Sequence, residues 1–275
     1  MEISSNSTIN QNLYLNNNQT LNRIATGIEL NQASDDYSSL AITNNLLSQS
    51  SGYSQAIENT NSAIASTQIA SSATNEQSSI LDSIKEKLLQ ASTDTTSQDG
   101  REALLKDIQS QLDQFNQIAS STNYNGQTLL QNSASDTSAS QVQQYQSGIN
   151  SENLIETSSV QSNTQGLGLT ALSSQDATSF SSSDARGFLQ SVDNAINGLN
   201  DIRSEFGSVQ NQLESSSKNL ISQEVGTLSA ASISDTDYAK ESASFSKQNI
   251  MGQIGAFSLA QGNNVNQQMV TRLLS

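Results

Sequence analysis

From Val192 to Leu220 the small and apolar residues recur in steps of three and four without a break: Val192, Ala195, Leu199, Ile202, Phe206, Val209, Leu213, Ser216 and Leu220. That alternation is a heptad seam, and a heptad seam is buried only against another helix. The helix that carries it, Asp184 to Val225, has a length of roughly 60 Å at 1.5 Å per residue. Gly198 and Gly207 lie off the seam and weaken the helix without disturbing its pattern. The chain contains no Pro, so nothing of that kind interrupts long helices; one interior Pro would cost about 3 kcal/mol.

Partners for the seam are present in the same chain. Arg101 to Ala119 repeats the alternation with Leu105, Ile108, Leu112, Phe115 and Ala119. Ser54 to Gln90 carries a weaker, Ala- and Ser-rich stripe at Ile57, Ile64, Ala70, Ala73, Ile80, Ile84 and Leu88. Between these two, Thr93 to Gly100 reads as a reversal ending in Asp-Gly turn chemistry. The spacing therefore predicts a mainly α fold, a long antiparallel helical bundle or coiled-coil rod. After Asn123 the pattern changes. Asn125-Gly126, a strong hairpin signal, precedes the apolar pair Leu129 and Leu130, and a sparse stretch follows up to about Ser183. It reads as a few short strands and loops packed on the bundle; for Gln131 to Ser151 a disordered linker is the competing reading.

Composition excludes whole classes of function. With no His and no Cys among 275 residues, there are no imidazole or thiolate metal ligands, no disulfides, and no Ser-His or Cys-His dyad. No Gly-rich phosphate loop occurs either, so neither an enzyme nor a cofactor site is expected. A net charge of −15 with only 11 Lys and Arg argues against nucleic acid and against anionic membrane surfaces. No apolar run approaches the length of a membrane span, and the first residues lack the basic start and apolar run of a signal peptide.

The charges are also unevenly placed. None occurs from Ile3 to Asn22 or from Gln248 to Thr271, whereas an exposed helix normally carries charged pairs on its outer face. A disordered tail is one reading; burial in a partner, where unpaired charge is costly, is the other. Apolar spacing favours burial. Ile9, Leu13, Leu21, Ile24 and Ile28 lie at steps compatible with one helix face, with Asn17 in the gap, and Ile250, Ile254, Phe257, Gln261, Val265, Met269 and Leu273 do likewise. Gly252, Gly255 and Gly262 would permit close approach of a neighbour.

Four runs in order resemble one family. Leu21-Asn22-Arg23-Ile24-Ala25-Thr26-Gly27-Ile28, continuing through Asn31 and Asp35-Asp36 to Leu40-Ala41-Ile42, is similar to the N-terminal block of bacterial flagellin. Thr122-Asn123-Tyr124-Asn125-Gly126 to Leu129-Leu130, Ile233-Ser234-Asp235-Thr236-Asp237-Tyr238-Ala239, and the closing helix from Leu259 to Leu274 resemble further flagellin segments. The resemblance implies a filament subunit whose terminal helices pair as an inner-tube domain and mediate polymerisation. It implies an inner-tube helix and connector at 1–42, rod helices at 43–130, a reduced variable region at 131–183, a rod helix at 184–225, and a connector and inner-tube helix at 226–275. It further implies homo-oligomerisation into a helical filament, export through the flagellar type III pathway, and contacts with an export chaperone, the filament cap and hook-junction proteins. A secreted flagellin-like effector that does not polymerise and a hook-filament junction protein are the alternatives.

The sequence departs from the family at Asn266, where flagellins usually carry Pro, and in the run Asp82 to Gln90. There Ser83 and Lys87 replace the Arg and the central Leu of the surface read by the animal innate-immune flagellin receptor, which implies weak or no recognition. Asp35-Asp36 after Ser34 reads as a helix cap, and Ser234 or Asp235 as the cap of the last helix.

Overall fold

In the computed structural model the backbone is described for residues 2–131, 133–138 and 140–274, and side chains within that range for 13–258, 260 and 261. The order of elements is α1 (Glu2–Thr26), α2 (Tyr37–Ala91), α3 (Gln98–Ser121), β1 (Asn123–Tyr124), β2 (Gln127–Thr128), β3 (Gln144–Gln146), β4 (Leu154–Glu156), α4 (Thr170–Ser173), α5 (Ser182–Ala231) and α6 (Tyr238–Leu274). The chain forms two compact units, one of residues 51–224 and one of residues 1–50 with 225–275.

In the first unit, α2, α3 and α5 share one core. Leu105, Ile108, Leu112 and Phe115 of α3 close on Leu81, Ile84 and Leu88 of α2 and on Ala185, Val192, Ala195 and Leu199 of α5. Ile202, half-buried, joins this cluster to the next, where Phe206 meets Ala70, Leu129, Leu130 and Val160; beyond it Val209 and Leu213 meet Ala63. Each fully buried Leu or Phe stabilises such a core by about 1.5–3 kcal/mol. Polar pairs set the antiparallel directions: Lys85 to Asp193 at 2.6 Å and Ser54 to Glu224 link α2 to α5, while Gln111 to Ser83 at 3.0 Å links α3 to α2.

The buried stripe of α2 differs from the expected one. From Ala56 onward the buried residues Ala56, Thr60, Ala63, Thr67, Ala70, Thr74, Gln77, Leu81, Ile84, Leu88 and Ala91 follow a four-three alternation, with Ser66 buried beside it, whereas Ile57, Ile64, Ala73 and Ile80 are only half-buried at its flank. The threonines fit because each hydroxyl bonds its own helix, Thr60 to the Ala56 carbonyl at 2.7 Å, Thr67 to Ala63 at 3.0 Å and Thr74 to Ala70 at 3.2 Å. What they present to the seam is then largely a methyl group.

The Asp-Gly turn expected before α3 is corrected. Ser97 is the N-cap, its side chain accepting from the Gly100 amide, and Asp99 and Gly100 lie in the first helical turn. An acidic residue is favourable there because the amides at a helix start are unpaired and carry partial positive charge. The chain reverses earlier, between Ala91 and Ser97.

The segment between α3 and α5 carries two antiparallel hairpins, β1 with β2 and β3 with β4. Asn125 (φ 51°) and Gly126 (φ 79°) make the first turn, the left-handed pair that a two-residue hairpin requires. Long-range amide contacts attach the rest. Gln77 donates to the carbonyls of Phe115 (3.1 Å) and Ser162 (2.8 Å), Asn116 accepts from the Thr164 amide (2.9 Å), and Gln131 accepts from the Ser162 amide (2.9 Å). Gly198 on α5 has Leu167 seated against it, 3.1 Å from where a Cβ would stand.

Candidate assembly surface on the terminal helices

In the second unit α1 and α6 run antiparallel. Asn17 donates to Asn249 and Gln248 to Thr20, both at 3.4 Å, and Gly252 lies under Leu13, whose Cδ2 would be 3.4 Å from an added Cβ. The close approach foreseen for Gly252 is thus made within the chain. Leu13 and Ile24 are half-buried.

The connector between α1 and α2 is built on Gly27 (φ 72°). Ile28 pairs with Asp235 as an antiparallel bridge, the Glu29 amide donates to Ser234 at 2.6 Å, and the Thr236 amide donates to Gly27 at 3.0 Å. Arg23 lies between two carboxylates, 3.6 Å from Asp35 and 3.9 Å from Glu241. Asp35 also accepts from the Asn31 and Gln32 amides and from Gln19 at 2.6 Å. Burial works to raise the pKa of Asp35, but the Gln32 amide, Gln19, Arg23 and the Asn31 amide together hold it below the ordinary carboxylate value. A carboxylate depressed in this way contributes its stabilisation above the ordinary value and loses it as pH falls through the depressed one.

Capping is divided between the two aspartates that follow Ser34. Asp36 caps α2, accepting from the Ser38 and Ser39 amides at 2.9 and 3.1 Å, whereas Asp35 closes the connector. For α6 the cap is Asp237, which accepts from Ala239 and Lys240 at 3.0 and 3.1 Å, in place of the expected Ser234 or Asp235. Those two earlier residues are engaged in a 3-10 turn, Ser232–Ser234, and its cap.

The pairing leaves several large apolar side chains uncovered. Ile250 (57%), Ile254 (60%) and Phe257 (72%) of α6 are exposed, as are Leu21 and Tyr14 (77%) of α1 and Ile28 of the connector. The side chains of Ile9, Met269 and Leu273 lie outside the described residues. On the other unit, Ser83 is held by Gln111 and Lys87 is paired with Asp107 across the α2 and α3 helices. Among the described residues no helix is long and apolar enough to cross a membrane.

The sequence comparisons agree with this geometry. Residues 1–135 match the family model described as the bacterial flagellin N-terminal helical region, and residues 189–274 match the flagellin C-terminal helical region. Flagellin of Halalkalibacterium halodurans is 31% identical over 256 residues, covering 92% of this chain and 91% of that one.

The chain belongs to the bacterial flagellin family. It is a structural, non-enzymatic subunit of the extracellular flagellar filament. Flagellin of Bacillus subtilis is 29% identical over 93% of this chain and 92% of its own length. Flagellin B of Helicobacter pylori is 43% identical over 116 residues, 42% of this chain but 23% of that longer flagellin. Among solved structures, a Bacillus cereus flagellin (TM-score 0.51, 23% identity, 59% of this chain and 88% of that one) and a putative flagellar hook-associated protein from Vibrio parahaemolyticus (TM-score 0.60, 12% identity, 73% and 99%) share the fold.

Proposed function

We propose that this flagellin polymerises by burying the open apolar faces of α1 and α6 against other copies. Ile9, Leu13, Leu21, Ile24, Ile28, Ile250, Ile254, Phe257, Met269 and Leu273 carry the contact. In this reading 1–42 and 226–275 are inner-tube helices with their connectors, 43–130 and 184–225 the rod helices, and 131–183 a reduced outer segment. Val192, Leu199, Ile202, Phe206, Val209 and Leu213, with Leu105, Ile108, Leu112 and Phe115, act as the rod seam.

The observation that carries the reading is the exposure of Phe257, Ile254 and Ile250 on a helix with no charge from Gln248 to Thr271. Solvent gives such a face nothing in return for its apolar area, and association covers it. A contact between different faces of identical copies propagates without closing, as a filament requires. Deleting residues 1–30 or 250–275 leaves a folded helical body with a cooperative melt and abolishes sedimentable polymer; filaments formed by either truncated chain would refute the role given to the ends.

Export by the flagellar type III pathway, and contacts with an export chaperone, the filament cap and hook-junction proteins, complete the proposal; the family resemblance supports them. Recognition by the innate-immune flagellin receptor is weak or absent, because the side chains at the two altered positions are Ser83, occupied by Gln111, and Lys87, paired with Asp107. A receptor reporter-cell response matching that to an enterobacterial flagellin would overturn this part.

A further inference from the structure

In the 51–224 unit a groove of about 380 Å³ lies between the β1–β2 hairpin and β3, with α2 as its floor. No Asp, Glu, Lys or Arg lines it. Its walls are phenol, amide and hydroxyl groups: Asn59 and Ser62 from α2, Tyr124, Asn125 and Gln127 from the hairpin, and Tyr145 from β3. The Tyr145 ring packs against the cluster of Ala63, Val209 and Leu213, and its hydroxyl is 3.0 Å from Ser66 Oγ. Tyr124 packs against the neighbouring cluster around Leu129 and Phe206. Both rings are therefore anchored at the base and lie along one opening. Burial raises the pKa of Tyr145, with the Tyr124 hydroxyl adding to the effect against the Ser66 hydrogen bond, so Tyr145 faces the groove as a neutral phenol.

The lining decides the ligand class by elimination. An anion or cation would be desolvated here without a counter-charge. An apolar molecule would cover polar groups it cannot satisfy: among the described residues the Ser62 hydroxyl, the Asn125 and Gln127 amides and the Tyr124 hydroxyl have no side-chain partner within the chain, and each group buried unmade costs about 1–3 kcal/mol. A neutral polyhydroxylated ring meets both demands, its hydroxyls on the amides and its C–H face on aromatic and aliphatic surface. The volume is at the lower end of small-ligand sites, which run from about 300 to 1,000 Å³. We propose that this groove binds a neutral saccharide of one or two pyranose rings, with Gln127, Ser62 and Tyr145 as the recognising side chains. The site belongs wholly to the 51–224 unit, and the proposal does not rest on the assembly reading.

The chain suits a direct test, because it has six Tyr and no Trp, so tyrosine fluorescence is unmasked. The full-length protein is titrated with N-acetylglucosamine, maltose and lactose, with glucuronic acid and glucosamine as charged counterparts and glycerol as a solvent control. The expected result is a saturable change with at least one neutral sugar, with affinity lowered about tenfold or more in Gln127→Leu and Ser62→Leu. Both replaced side chains are exposed, and unchanged circular dichroism and melting establish that each variant is folded; Tyr145→Phe, which keeps the ring and loses the hydroxyl, provides a second reading. No saturation with any neutral sugar, equal binding of the charged sugars, or folded variants that bind as the parent does would each overturn the proposal.

Discussion

Among the described residues, the largest fully buried side chains, Phe115, Phe180, Leu112 and Leu199 among them, fall between residues 51 and 224, while Tyr14, Leu15, Ile254 and Phe257 in the other unit are 60–77% exposed. Both units are made of long helices with apolar residues at helical spacing. The difference lies in how many helices each stripe finds. In the 51–224 unit a third helix and two hairpins cover what two helices leave open. The terminal unit has α1 and α6, the connector and only the first turns of α2 and the last of α5, too few layers to enclose a core on both sides of the α1 and α6 pair. Uncharged amides such as Asn16, Asn18 and Gln253 share the uncovered surface with the apolar side chains, and the family places the chain in a filament.

This contrast can be broken most sharply at Leu112, which is fully buried among three helices. Leu112→Ala is expected to cost about 3 kcal/mol, read as a lowered urea midpoint of the non-polymerised chain; a loss under about 1 kcal/mol would mean that the 51–224 core is not closed. Gly27→Ala acts on the other unit and costs less. The residue has φ 72°, and an added Cβ would be 2.8 Å from the Tyr238 hydroxyl. A destabilisation of about 1–2 kcal/mol is expected, seen as faster hydrogen exchange at Glu29 and Thr236 with exchange in the 51–224 core unaltered. Equal acceleration in both units would contradict their separation. Phe257→Ala has the smallest effect on the single chain, within about 0.5 kcal/mol, yet raises the concentration needed to polymerise. If melting of the monomer fell substantially, Phe257 would belong to the monomer's own packing.

The α5 seam was readable in the sequence because Val, Leu and Phe announce it directly. So were the three-four run of α3 and the Asn125-Gly126 hairpin, whose turn geometry follows from two residue types. The α2 seam was not, because Thr60, Thr67 and Thr74 count as polar until the carbonyl four residues back has taken each hydroxyl. Gln77, Asn116 and Gln131 were hidden for a related reason: an amide is buried only where partners exist, and theirs are 31 to 85 residues away in the chain. For the terminal helices, apolar spacing and missing charge marked residues that the structure divides, Leu13 and Ile24 half-buried and Leu21, Ile250, Ile254 and Phe257 exposed, while the pairing of Gly252 with Leu13 and the position of Arg23 between Asp35 and Glu241 depend on two chain ends meeting. The groove between the hairpins left no local signal, since its residues come from three separate segments.

The two halves of the α2 seam differ in what they resist. At Gln77 the helix is keyed to its surroundings by hydrogen bonds to Phe115 and Ser162, so axial movement there breaks directional bonds. Toward Ala56 the threonine hydroxyls are bonded within their own helix, and the bonds to neighbours come from beside the seam, Ser54 to Glu224 and Ser66 to Tyr145. Sliding there restores an equivalent methyl contact only after a full heptad, about 10 Å at 1.5 Å per residue, and breaks both bonds on the way. A load that strips marginal contacts would therefore loosen the Ala56 end first and leave the Gln77 end in register.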